Sequence, residues 1–244
     1  MKNLIAFLVL TLFSQGLMAK GTPTPTSALS YVYATSGLNL RTTPETNGQI
    51  IKVIPFGDKV EIVEHTDKQQ QIEWVEGIWV KVKHEGNEGY LFNGFLSALP
   101  LPSAIDGTTT RDDLDLTYPL INWLDLNYGE TQVADTLILD NSYSLTKYLE
   151  GDNWYSQTDG EYRYRLNVLL KDTKPSEAHH LLKSMLQTKA EREVYEEKSV
   201  YLSNDQGQIH KIRIELDQPV QVSQVSDTDV LITVTSYHSG CNIY

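Results

Sequence analysis

The chain has 244 residues, 40% of them hydrophobic, and a formal charge of −12. This composition provides a buried core for one or two domains and sets the chain apart from disordered polyampholytes. So acidic a balance, with no basic cluster to offset it, excludes nucleic acid and anionic lipid surfaces as partners by repulsion.

Lys2, the apolar run Leu4–Phe13 and the small-residue end Gly16-Leu17-Met18-Ala19 read as a secretory signal peptide over residues 1–19, cleaved after Ala19. The run is shorter than the about 20 apolar residues of a membrane span, and no other segment approaches that length, so no membrane insertion is expected after cleavage. Loss of Lys2 leaves 19 basic against 32 acidic residues, net −13. The one cysteine, Cys241, excludes an intramolecular disulfide, and no cysteine near the cleavage site offers lipid attachment. Small secreted eukaryotic domains lean on such bridges. An exported chain without them fits a bacterial envelope, and the periplasm is the expected location.

Residues 20–28, "KGTPTPTSA", alternate Thr with Pro and form an extended, solvated tether. From Leu29 to Leu99 short apolar-alternating runs follow one another: "SYVYATS", "GLNLR", "GQIIKVI", "DKVEIVE", "GIWVKVKH" and "EGYLFNGFLS". Turn residues separate them at Thr43-Pro44, Asn47-Gly48, Pro55-Phe56-Gly57-Asp58 and Glu85-Gly86-Asn87. Short strands at this spacing predict a small all-β barrel. Its inward residues must alternate with outward ones, as Leu38 and Leu40 do with Asn39 and Arg41.

Two prolines and a Thr run mark residues 100–113 as a linker, or as a loop laid along the next domain. Residues 114–244 then mix strands with one clear helix. "QVADTLIL", "SLTKYLE", "EYRYRLNVLL" and "DVLITVTSY" predict strands, and "VYLSNDQGQIHKIRIEL" predicts a hairpin around Asp-Gln-Gly. In "EYRYRLNVLL", Tyr162, Tyr164 and Leu166 share one face, with Arg163 and Arg165 on the other. A helix begins at Pro175, with Glu177 in its first turn and Ala178, Leu181, Leu182, Met185 and Leu186 in one apolar stripe. The expected fold is therefore mainly β: a small barrel, then a β-rich α+β domain with one main helix. The acidity is uneven. Leu29–Pro100 holds 6 basic and 9 acidic residues, net −3, against 12 and 23, net −11, in Leu101–Tyr244. An anionic ligand of the second part needs a local exception.

The stretch "GLNLRTTPETNGQIIKVIPFGDKVEIVE", followed by "GIWVKVKHEGNEGYLFNGFLS", resembles the bacterial SH3 (SH3b) family. The matching positions are Leu38-Asn39-Leu40-Arg41, Pro44, Ile50–Ile54, Gly57, Val60–Val63, Trp79–Val82 and Gly89-Tyr90-Leu91. The loop between Val63 and Trp79 is longer than usual and holds an additional Trp74. The resemblance implies an SH3-like barrel and a binding role without catalysis, the partner being a peptidoglycan stem peptide or an envelope protein. Candidate contacts are Trp74, Tyr90, Phe92 and Phe95, as interface aromatics, and Arg41, as a partner for a peptide carboxylate. The competing reading places Trp79 and Tyr90 in the barrel framework and has Arg41 support its own loop.

Catalytic patterns are incomplete. The tail "SYHSGCNIY" loosely resembles the cysteine segment of L,D-transpeptidases, in which a His lowers the thiol pKa. Here the order is His238-Ser239-Gly240-Cys241, no Arg follows, and Pro219–Asp229 lacks the family's upstream His. Ser144-x-x-Lys147 matches a penicillin-binding spacing but lies in a strand-like context. His179-His180 are adjacent rather than a turn apart, as a helical metal pair requires. "RDDLDL" lacks the Gly and closing Glu of a calcium loop. No metal or cofactor is expected, and no enzyme. The alternatives are a Cys241-dependent peptidoglycan enzyme and a periplasmic inhibitor or immunity-type protein.

Overall fold

The structure, a computed structural model, describes residues 28–102, 114–139 and 142–237. The predicted leader, the tether before Ala28, residues 103–113 of the predicted linker, and His238 with Cys241 lie outside the described residues.

The described fold is mostly β. Strands β1 (Ala28–Val32), β2 (Leu38–Arg41), β3 (Ile50–Ile54), β4 (Lys59–Ile72), β5 (Val75–His84), β6 (Asn87–Phe92) and β7 (Leu96–Ser97) form one curled sheet in the order β3-β2-β6-β5-β4-β1-β7. Its inner face closes around Val32, Leu40, Ile54, Val60, Ile62, Val80, Val82 and Leu91, all buried. The tight β5–β6 turn is Glu85-Gly86, both at positive φ, the geometry a two-residue hairpin requires. Gly89 is fixed by space. A Cβ there would lie 2.7 Å from the Arg41 carbonyl oxygen and 2.9 Å from Leu40 and Ile51 side-chain atoms, because β6 crosses β2 at this point.

Two features of this sheet depart from the sequence reading. The long segment between Val63 and Trp79 is a hairpin: β4 runs on to Ile72, and β5 starts again at Val75. Backbone pairing of Gln69–Ile72 with Val75–Ile78 holds it together although its side chains are mostly polar. The apolar run of β3 faces largely outward, with Ile50, Ile51 and Val53 exposed by 47%, 40% and 51%. The strand is at the edge of the sheet, so only Ile54 reaches the core.

The second sheet contains β8 (Asp135–Leu139), β9 (Ser142–Tyr148), β10 (Trp154–Asp159), β11 (Arg163–Leu170), β12 (Ser199–Ser203), β13 (Ile209–Ile214), β14 (Val220–Gln224) and β15 (Val230–Tyr237). All pairs are antiparallel, in the order β12-β13-β14-β15-β11-β10-β9-β8. One face buries Tyr155, Leu166, Val168, Ile212, Val222, Ile232 and Val234. Three helices cover that face where the sequence pattern showed one. Helix α2 (Pro175–Ser184) matches the expectation and lies against β13, β14 and β15. Helix α1 (Thr117–Asn127) adds Leu120, Trp123 and Leu124 to the core, and α3 (Lys189–Glu197) adds Tyr195. At the start of α1, Asp115 Oδ1 accepts the Thr117 N–H at 2.8 Å. At the start of α3, Thr188 and Glu191 form a capping box.

The sheets are joined by side chains as well as by chain. Tyr33 packs into the core of the second sheet, and its hydroxyl donates to the Leu99 and Pro100 carbonyls at 3.1 and 2.8 Å. Trp123 Nε1 donates to the same Pro100 oxygen at 2.9 Å. The first residues of the predicted linker are thus clamped between the two units.

Candidate functional site

The five candidate residues of the barrel do not form one open groove. Arg41, at the end of β2, donates from Nη1 to the Gly48 carbonyl at 2.7 Å. It ties down the loop between β2 and β3. Tyr90 pairs with Lys81 and Arg41 across β6 and is half-buried against the cluster of Val75, Trp79 and Phe92. Phe92 is 1% exposed, which removes it as a ligand contact: β6 aims it into that cluster, edge-on to Trp79 and Phe95.

The other two aromatics meet the second domain. Phe95 lies 5.4 Å from the His180 ring, centroid to centroid. Trp74, in the β4–β5 turn behind Glu73 at φ 56°, stacks on Tyr201 at 4.4 Å and meets His179 edge-on at 5.1 Å. The hairpin extension carries Trp74 across to helix α2 and strand β12, so one aromatic strip runs from Trp79 through Phe92 and Phe95 to His180, Trp74, His179 and Tyr201. The sequence marked Trp74 and Phe95 as interface residues. The partner that the structure gives them is the same chain.

The electrostatics of the strip follow from its dryness. His179 Nε2 lies 3.3 Å from the Ser199 hydroxyl, and its Nδ1 has no partner, nor does Nε2 of His180. Burial pushes the pKa of His179 well down, with His180 and Lys183 adding to the effect. Burial, then Lys183, pushes His180 down to about 4, against a pull upward from Glu196. Both rings are neutral at physiological pH, and an apolar, uncharged seam results.

The β3 edge is a free surface of the barrel. Ile50, Ile51 and Val53 stand exposed together, with Phe56 at 38% just beyond them. The edge strand also leaves one row of backbone N–H and C=O groups without a neighbouring strand. The signal for this site was in "GQIIKVI", where aliphatic residues at successive strand positions, Ile50-Ile51 and Val53-Ile54, cannot all face the core.

Among the described residues no three His, Cys, Asp or Glu side chains group as a metal site. Ser144 and Lys147 project to opposite faces of β9: Ser144 meets Thr158, and Lys147 covers the Tyr155 ring beside Asp125. No helix among the described residues is long and apolar enough to cross a membrane. No curated protein and no solved structure matches the chain. The barrel does have a match: residues 36–97, from the turn before β2 through β7, fit the family model of the bacterial SH3 domain, the family that the Leu38–Leu91 signature resembles.

Proposed function

We propose that the chain is an exported, non-enzymatic binding protein of the bacterial envelope, working in the periplasm, and that the β3 edge of its barrel is the binding surface for a peptidoglycan stem peptide or an envelope protein. The bacterial SH3 match supports a binding module of the envelope-associated kind. The observation that carries the finer reading is the exposed row Ile50, Ile51 and Val53 on an unpaired edge strand. The aromatic strip is occupied by α2 and β12, so it does not compete for this role. An extended peptide adding to the edge gains main-chain hydrogen bonds, and alternate aliphatic positions give it selectivity.

The test is co-sedimentation of the chain lacking residues 1–19 with purified peptidoglycan sacculi, beside Ile51→Lys and Val53→Lys. Pelleting that both substitutions reduce by about tenfold or more, with unchanged thermal stability, supports the reading. Failure to pellet removes peptidoglycan and leaves protein partners. Cys241-dependent cleavage or crosslinking of muropeptides overturns the non-enzymatic assignment.

A further inference from the structure

The second sheet has a face that no helix among the described residues covers, and it breaks the charge rule of its own domain. Residues Leu101–Tyr244 carry 12 basic against 23 acidic side chains. On the strands of the open face the balance reverses. Lys211 and Arg213 of β13 and Arg163 and Arg165 of β11 alternate with the buried Ile212, Ile214, Leu166 and Val168, and so project outward. Among the described residues the acids on this face are Asp135, at the far edge on β8, and Glu215, one step past the end of β13 and beside Arg213. Four cations against two carboxylates is a local exception in a strongly acidic domain.

The centre of this face is built for hydrogen bonding. The strand register puts Arg213, Gln221, Thr233 and Asn167 in one lateral row over β13, β14, β15 and β11. The two ends of the row are about 14 Å apart, three strand spacings. Arg165 and Thr235 form the next rung. Together they line a cleft of about 670 Å³, closed at one end by Leu216 and Pro219. That volume lies in the range of small-ligand sites.

Several of these groups have unspent capacity. Arg165 Nε is buried without a hydrogen-bond partner. A guanidinium N–H out of water and unpaired is costly, and a ligand acceptor relieves it. Arg213 stands 3.8 Å from Glu215, both half-exposed, which leaves it free to turn. Thr233 donates to the Asn167 oxygen at 3.0 Å, so the Asn167 amino group is the donor left over. The Gln221 amino group gives one of its two N–H groups to Ser223 at 2.9 Å, and its oxygen is an acceptor.

We propose that this cleft binds a short aliphatic peptide through its α-carboxylate. The Arg165 fork takes the carboxylate in a charge-assisted, two-point contact. Asn167 donates to a peptide carbonyl, Gln221 accepts a peptide N–H, and the Leu216–Pro219 end covers a small aliphatic side chain. The site is on the second domain and does not depend on what the barrel binds.

The test is calorimetric titration of the chain lacking residues 1–19 with N-acetyl-Ala-Ala as the free acid, with its C-terminal amide, and with inorganic phosphate. The free acid binds, the amide at least tenfold more weakly, and phosphate more weakly than the free acid. Arg165→Ala lowers the affinity for the free acid tenfold or more, and Arg165→Lys by less. Arg213→Ala, at a more exposed position, lowers it severalfold in a protein whose fold is checked by circular dichroism. Equal binding of acid and amide overturns the carboxylate role. Phosphate binding as well as the free acid overturns the peptide assignment. No binding of the free acid at 10 mM overturns the site.

Discussion

Lowering the pH from 7.5 to 5 drives protons toward His179 and His180, which the folded chain keeps neutral. A histidine whose folded pKa is depressed favours the native state above its unfolded pKa, and that advantage drains away as pH falls toward the folded value. For His180 the window runs from 6.5 down to about 4. The linkage relation then gives a loss of about 2 kcal/mol at pH 5 from this ring alone. His179, buried completely, adds to the loss in the same direction. The groups that face the pair are Lys183, which opposes protonation, Glu196, which favours it, and the uncharged Trp74, Phe95, Tyr195, Ser199 and Tyr201. Two carboxylates nearby in pH act otherwise. Asp229, held down to about 2 by its hydrogen bond from Lys171, costs stability only below its ordinary value of 3.8. Glu177, pushed up by burial, gains as it protonates and so opposes the histidines. For a chain of this size about 2 kcal/mol corresponds to a fall of roughly 4–8 °C in Tm. Thermal melts at pH 7.5, 6.5, 5.5 and 5 read it directly. The partner measurement is His180→Phe, which removes the titrating ring and the unpartnered Nε2 while keeping the stacking on Phe95 and Trp74. Its melt falls by less over the same range. A wild-type melt that is flat between pH 7.5 and 5, or a His180→Phe melt that falls as far as wild type, refutes the account.

Trp74→Ala removes a half-buried indole and its contacts with Tyr201 and His179, and costs about 2–3 kcal/mol in urea unfolding; a change under about 0.5 kcal/mol means that the strip does not hold the units together. Gly89→Ala forces a methyl against the Arg41 carbonyl and loses about 1–3 kcal/mol, whereas Gly86→Ala, with open space around it, is limited to the strain of its positive φ; the two midpoints measured side by side check the ranking. Val53→Lys leaves stability within about 0.5 kcal/mol, as expected at an exposed edge position, while sacculus pelleting drops.

The barrel was readable because its rules are local. Alternation at Leu38–Arg41 and Val60–Ile62, and turn residues at Asn47-Gly48 and Glu85-Gly86, fix strand and turn independently of what packs outside. Helix α2 was readable for the same reason, with Pro175 at its start and one apolar stripe. Helix α1 was hidden although Leu116, Leu120, Trp123 and Leu124 have helical spacing. Pro119 in the first turn and the weak helix formers around it break the local pattern, and burial under the sheet makes up the difference. Helix α3 was hidden for the opposite reason: its Thr188–Glu191 capping box is a clear start signal, but Tyr195 is its one fully buried side chain. The fate of Trp74 and Phe95 was not legible either. Sequence marks an aromatic residue in a loop as an interface residue without saying whether the other side of the interface is a stranger or residue 201 of the same chain. Arg165 shows the converse. Its outward position was plain from alternation, but its place on one face with Arg213 depends on the register from β11 through β15 and β14 to β13.

The hairpin that delivers Trp74 to helix α2 has a consequence for the order in which the molecule is made. A ribosome releases the barrel residues first, and Tyr201 follows more than a hundred positions later. Until then the Trp74 indole and the Phe95 ring, packed on one side against the Val75, Trp79 and Phe92 cluster, lack the cover of α2 and β12, and the nascent barrel presents a sticky seam that its own completed half later closes. The barrel is therefore a poor cassette. Transplanted onto another protein, it would carry that seam with it, and a graft designed to stay soluble has to trim the hairpin back before Gln69 or bring along the helix that shields it.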